Sequence, residues 1–187
     1  MKFVELESER LIYRKFKYED LSIIFDMLGN AENMKYRTEE PKNEAEVHAY
    51  LSWAITSAEA EECKNFKYAV VLKSDNSLIG SCEIYNITDS AELAWELHRD
   101  YWQKGYGTEI GKTLLKFGFE TLNIHRIIAD CQTQNHGSYK IMERIGMRRE
   151  AHFIKSKRGN STFNYEWCDR FQYAILQEEW KAAQQIY

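Results

Sequence analysis

"YWQKGYGTEIGKTLLKFGFE", residues Tyr101 to Glu120, sets Gly105, Gly107 and Gly111 close together and then continues with the periodicity of a helix. A glycine-rich stretch that opens a helix suits an anion. Main-chain amides can close on it without side chains in the way, and the helix adds its positive end. Three readings of the spacing compete. A P-loop needs G-x-x-x-x-G-K-[ST]. "GKT" is present from Gly111 to Thr113, but Gly107 stands one residue too close and Gly105 one too far, and those amides fall a turn into the helix. A dinucleotide fingerprint, G-x-G-x-x-G, also misses by one residue, and "HRDYWQK" before Gly105 is polar where an apolar strand should end. The third reading uses the loop directly. The N–H groups of Gln103, Lys104, Gly105, Tyr106, Gly107 and Thr108 converge on a pyrophosphate, with the helix starting near Thr108. On spacing alone, a glycine-softened turn before a buried helix is the alternative.

Outward from this stretch, strand and helix patterns alternate. "RLIYRKF" reads as a strand and "EDLSIIFDMLGN" as an amphipathic helix ended by Gly29-Asn30. A second helix runs from about Glu44 to Ala60, with Val47, Leu51, Ala54 and Ile55 on one stripe. "FKYAVVLK", "SLIGSCEIYNI" and "AELAWELH" read as strands, and the short polar breaks between them favour antiparallel hairpins. Beyond the glycine loop come a helix to about Thr121, the strand "RIIADC", and a helix from about Asn135 to Ile145 stopped by Gly146. A last hairpin and a short helix follow. Antiparallel strands first and a β-α-β crossover second give one mixed α/β domain over residues 1–187.

Composition narrows the function classes. The chain is 44% hydrophobic and 29% charged, which is that of a globular protein with a real core. A formal net charge of -4 argues against a life on nucleic-acid phosphates. No apolar run approaches the ~20 residues that span a bilayer, and "MKFVELESER" lacks the apolar core of a signal peptide. Cys63, Cys82, Cys131 and Cys168 form no C-x-x-C pair and read as reduced, buried thiols of a cytoplasmic protein. His48, His98, His125, His136 and His152 show no zinc-like spacing, so no metal is expected.

More motifs accompany the loop in a fixed order. "YWQKGYGTEI" is followed by "LNIHRIIADC", "NHGS" and "ERIGMRRE"; "LESERLIYRKFKYEDL" and "AENMKYR" precede it, and "WCDRFQYAILQEEW" ends the chain. Together they resemble the GCN5-related N-acetyltransferase (GNAT) superfamily, in particular its RimJ/RimL-like branch, over nearly the whole chain. The resemblance implies the GNAT fold: α/β, a mixed and mostly antiparallel sheet flanked by helices, with a splayed parallel strand pair that binds acetyl-CoA. It implies acetyl-CoA as cosubstrate and an amine as acceptor, on a small molecule or a protein N-terminus. It implies neither nucleic acid nor membrane as partner, and homodimers are common in such families. Trp102 stands where the wider superfamily usually has Gln or Arg, three residues before the first glycine.

Acetyl transfer needs a neutral amine, a steadied oxyanion and a proton for the thiolate. Alternation in "AELAWELH" puts Glu92, Ala94, Glu96 and His98 on one face and Leu93, Trp95 and Leu97 on the other. By resemblance, a backbone amide near Leu97 meets the thioester oxygen, which makes Glu96 the first candidate base, through water, and Glu83 the second. His98 reads as a bystander, and a plain polar strand residue is the alternative for the carboxylates. Many superfamily members use a tyrosine as acid where this chain has Met142. The branch points instead to Ser138, three residues after Asn135, which would hydrogen-bond the pantetheine; helix capping is the other role open to both. The missing tyrosine also leaves a non-catalytic coenzyme A-binding module as the alternative function. About a tenth of a peptide α-amine is neutral at pH 7, whereas a lysine amine would cost about 4–5 kcal/mol to deprotonate, so low-pKa amines fit better. Tyr36 and Arg37 are candidates to line the acceptor pocket. Lys155, Lys157 and Arg158 stand where some ribosomal-protein acetylators carry a carboxylate, and they favour an acidic acceptor if they face the cleft rather than solvent.

Overall fold

β-Branched and aromatic runs form strands and apolar stripes form helices, in the order the patterning gives. The computed structural model describes residues 1–185. Its elements are β1 (Leu6–Glu7), β2 (Leu11–Arg14), α1 (Leu21–Leu28), α2 (Ala31–Met34), α3 (Glu44–Glu59), β3 (Phe66–Leu72), β4 (Leu78–Tyr85) and β5 (Ser90–Leu97). There follow α4 (Tyr106–Lys116), β6 (Arg126–Gln132), α5 (His136–Arg144), β7 (Arg148–Arg158), β8 (Trp167–Leu176) and α6 (Gln177–Gln184). Asn43 and Glu46 start α3 with reciprocal hydrogen bonds, each side chain taking the other's backbone N–H. Asn30, read from the sequence as part of a helix stop, also starts the one-turn α2 by accepting from Glu32 N and Asn33 N.

The strands form one sheet in the order β1-β2-β3-β4-β5-β6-β8-β7, antiparallel everywhere except between β5 and β6. One face packs on α4 and α5 through Ala91, Leu93, Ile110, Leu114 and Met142. The other packs under α1 and α3 through Ala69, Val71, Ile24, Met27, Val47 and Leu51. Ala69, Ser81 and Glu96 stand in register across β3, β4 and β5, so Glu96 and its neighbours Glu83 and Glu92 project on the α1–α3 side. The alternation expected for β5 holds, except that His98 lies just past the strand. Cys63, Cys82, Cys131 and Cys168 are free and buried. Among the described residues no helix is long and apolar enough to cross a membrane.

Candidate active site

The parallel pair is short. Its register covers Ser90–Arg126, Ala91–Ile127 and Glu92–Ile128; beyond these, residues 93–97 and 129–132 border a wedge at the strands' carboxyl ends. That is the end at which open α/β sheets take ligands. His98 N donates to Ile79 O at 2.9 Å, which fixes the phase of the β4–β5 ladder. By that phase Ala94 and Glu96 bond to β4, while Leu93, Trp95 and Leu97 turn their N–H and C=O groups toward the wedge. Leu97 O accepts from Trp102 Nε1 at 2.8 Å and from Asn33 Nδ2 at 3.2 Å. Trp102 thus ties the glycine loop to the end of β5, and Asn33 ties α2 there.

Helix α4 begins at Tyr106, two residues earlier than the sequence suggests, because Gly105 takes a left-handed φ of +82° that ends the loop abruptly. Gln103 is also left-handed, at +59°. The N–H groups of Gln103, Lys104 and Gly105 find no carbonyl partner among the described residues. Those of Tyr106, Gly107 and Thr108 are first-turn amides that no helix satisfies internally. These amides and the positive end of α4 are suited to an anion. Gly107 also meets α5: a Cβ there would sit 2.4 Å from Ile141 Cδ1, so that side-chain tip would have to move. At Gly111 a Cβ would meet Ile145 Cδ1 at 2.8 Å; "GKT" lies in a helix seam, and the P-loop reading falls.

What holds the loop is remote in sequence. Glu109 accepts from Ser8 Oγ (2.7 Å), Arg10 N (2.8 Å) and Arg10 Nε (2.7 Å). The same guanidinium donates to Lys104 O at 3.1 Å and lies 4.4 Å from the centre of the Tyr106 ring. Burial works against the charged form of Glu109, but these hydrogen bonds outweigh it and hold the carboxyl below its usual range. The stability it adds is therefore present in full above the ordinary carboxylate range and is lost as pH falls through the lowered value. Glu109→Gln is expected to lower Tm by a few degrees at pH 7, from a loss of about 1–2 kcal/mol. It should also weaken acetyl-CoA binding, and the gap in Tm between variant and parent should close in acid. Equal thermal shifts with acetyl-CoA would remove Glu109 from the support of the loop.

Across the wedge lies the α1–α3 side. Glu96 Oε2 stands 3.7 Å from Arg37 Nη1, and its Oε1 is buried without a partner among the described residues. Glu83 is engaged by Lys67 Nζ at 2.9 Å. Burial opposes the lysine charge, but Tyr50 and Glu83 outweigh it and hold its pKa above the usual value, so Glu83 stays paired. Tyr36 rests 6.1 Å from the Phe163 ring. That ring belongs to the β7–β8 turn, which reaches over to the loop after α2. Asn160, 1% exposed, donates to Met34 O (2.9 Å) and Glu39 O (3.1 Å), and Ser161 Oγ donates to Glu40 (2.6 Å). Asn160→Ala removes one of two donors from the buried Met34 carbonyl, which keeps Arg37 N, and the side-chain donor of the part-buried Glu39 carbonyl, at about 1 kcal/mol. The expected result is a raised KM for the amine with little change in KM for acetyl-CoA; a change confined to acetyl-CoA would contradict it. Lys155, Lys157 and Arg158 are exposed along β7, as in the solvated-turn reading.

On the other wall, Asn135 caps α5 by accepting from Ser138 N at 3.1 Å, which leaves its Nδ2 to donate. Ser138 is half-buried in the first turn of α5, and its hydroxyl lies at the Cys131 thiol. Met142 is 0% exposed, and Tyr139 packs on Phe171, so neither offers a proton to the wedge. His98 is buried, with Nε2 2.7 Å from Asp26 and Nδ1 accepting from Asp100 N, and both ring nitrogens are committed. A surface cavity of about 800 Å³ lined by Cys63, Asn65, Asn86, Thr88 and Leu122 opens at the opposite end of the strands and holds none of these groups. The sequence reading missed Arg10, Glu109, Asn33 and Asn160, whose partners lie far away in the chain.

Comparison with known proteins agrees with this geometry. The acetyltransferase (GNAT) domain profile matches residues 10–148. An uncharacterized N-acetyltransferase of Bacillus subtilis, YnaD, is 33% identical over 180 residues, 95% of this chain and 99% of the relative. The crystal structure of a GNAT-family acetyltransferase from Bacillus anthracis superposes with a TM-score of 0.82 at 33% identity, covering 94% of this chain and 99% of that one. A Vibrio cholerae spermidine N-acetyltransferase, solved in complex with CoA and spermine, shares the fold at a TM-score of 0.77 and 23% identity, over 91% and 98% of the two chains. With a wedge between parallel strands, a helix-opening amide loop and these relatives in agreement, the chain belongs to the GNAT family and is an acetyl-CoA-dependent N-acetyltransferase.

Proposed function

We propose that this chain, a single N-acetyltransferase domain of the RimJ/RimL-like kind working in the cytoplasm, transfers the acetyl group directly to a primary amine. The acceptor is a peptide N-terminus or a small amine of low pKa. The observation that carries the reading is the wedge: the Leu97 N–H turns into it from one side, the amides of Gln103 to Thr108 stand at its mouth, and Glu96 faces it from the α1–α3 side. Bound acetyl-CoA supplies the activated thioester. The loop amides hold the pyrophosphate, Asn135 Nδ2 bonds the pantetheine, and the Leu97 N–H steadies the oxyanion. Glu96 takes the amine proton through a water, and Ser138 delivers a proton to the leaving thiolate. Direct transfer is supported by the thiols. Burial pushes Cys131, the one beside Ser138, up to about 12, which keeps it protonated and poorly nucleophilic.

A polyamine is the second acceptor class, since a relative of the same fold is named for spermidine. Here three of the carboxylates on this face already have cations, Glu83 with Lys67, Glu96 with Arg37 and Asp130 with Arg170, while Glu92 accepts from Tyr85 and Asn86. That arrangement suits a monoamine better than a polycation. The test is thiol release from acetyl-CoA with peptides, amino amides and polyamines, beside a thermal shift with acetyl-CoA. Release with one amine class names the acceptor. A shift without release on any amine would overturn the catalytic roles given to Glu96 and Ser138, and no shift would overturn the loop's role.

A further inference from the structure

Gln132 closes β6 and is 1% exposed, yet neither Nε2 nor Oε1 has a hydrogen-bond partner among the described residues. A glutamine kept as a core strut would be bonded to its neighbours, because burying an unpaired amide is costly. Ile128 is in register with Glu92, and two alternations along β6 bring Gln132 to the face that carries Glu92 and Glu96. The β7–β8 turn reaches toward this face: Ser161 Oγ donates to Glu40 at 2.6 Å, in the loop whose Arg37 stands 3.7 Å from Glu96. Asn160 fastens that turn to the loop that carries Arg37. The wedge is therefore walled by Glu96 on β5, by Gln132 on β6, and roofed between them. Glu96 Oε1 is also buried without a partner among the described residues.

We propose, resting on the acetyl-transfer reading above, that Gln132 determines acceptor specificity by hydrogen-bonding an amide group next to the amine that is acetylated. The chemistry selects this class. A primary carboxamide offers one acceptor and two donors and no charge, so it matches a group that has both a C=O and an N–H. A carboxylate on the acceptor would leave the donors matched but the Oε1 not, and a plain alkyl chain would leave both orphaned. An α-amino amide, as at a peptide N-terminus, presents its amine to Glu96 and its amide to Gln132.

The experiment compares alaninamide with isopropylamine as acceptors for the full-length wild type, Q132L and Q132M, reading the ratio of the two kcat/KM values at one pH. The two amines differ in pKa, but that difference is the same for every protein and cancels from the comparison. The wild-type ratio should fall by about tenfold or more in both variants, through KM for alaninamide. The shift in Tm with acetyl-CoA should be retained. The Tm of the free variants should be equal to or above wild type, since partnerless polar atoms have been replaced by apolar ones. An unchanged ratio, or a Tm that drops in both variants, overturns the proposal and makes Gln132 a core residue. Failure of the wild type on every amine would instead strike the transfer reading, and the proposal with it.

Discussion

Gly80→Ala is expected to lower Tm by roughly 5–10 °C and kcat/KM by about a hundredfold, from a single methyl. A Cβ at Gly80 would stand 2.2 Å from the Glu96 carbonyl oxygen, 2.9 Å from Leu97 Cδ2 and 3.0 Å from Leu97 Cα. Two of these are backbone atoms, which cannot swing aside as a side-chain tip does. The added methyl must push β4 and β5 apart, and overpacking of this kind costs about 1–3 kcal/mol or more. The damage falls where function needs accuracy. Gly80 is in register with Leu97, whose N–H faces the wedge, and displacement of about 1 Å at a reacting centre costs on the order of a hundredfold. Differential scanning calorimetry and thiol release measured on the same preparation check both halves. A variant that melts and turns over like the parent would show that β5 is not held at this spacing.

Glu96→Gln should lower kcat by about a hundredfold to a thousandfold while leaving the acetyl-CoA thermal shift intact. The substitution preserves shape and hydrogen-bonding reach and removes the negative charge, and with it the capacity to take a proton and the attraction to Arg37. Glu96 is the candidate because one of its oxygens has no partner among the described residues and the other stands 3.7 Å from Arg37, too far for a direct hydrogen bond. Glu83→Gln serves as the control. Its carboxylate is held by Lys67 at 2.9 Å, so the loss should be far smaller and should appear partly in stability. The reverse order of the two effects, measured with the same amine, would move the base to Glu83.

The support around the site repeats one physical theme: groups that matter are fixed by partners from other elements. Glu109 is separated by 99 positions from the Arg10 it binds, and Asn160 by 126 from Met34. The Asn160 side chain is buried, and the Glu109 carboxylate, 13% exposed, gathers donors from two residues, so removing either acceptor or donor breaks a contact between distant parts of the chain. The loop amides and the roof are therefore expected to respond to substitutions that touch neither acetyl-CoA nor acceptor.

What the sequence determined was what local physics controls. The strand and helix patterns, the single parallel crossover and the glycine loop follow from spacing and turn residues, and the order of motifs was enough to point to the GNAT fold. Alternation alone set Glu96 against Leu97 on opposite faces of β5, as found. The tertiary structure decided the rest. It moved the start of α4 to Tyr106, because the left-handed Gly105 ends the loop earlier than side-chain periodicity suggests. It set Gly107 against Ile141 of α5, a contact that the glycine spacing does not reveal. It paired Glu83 with Lys67 and left Glu96 Oε1 and the Gln132 amide without partners among the described residues, which no one-dimensional pattern encodes. Periodicity reports which face a residue takes; it does not report what stands across the gap. Contacts between positions a hundred apart depend on how strands are ordered and where two of them part, and those are properties of the folded sheet.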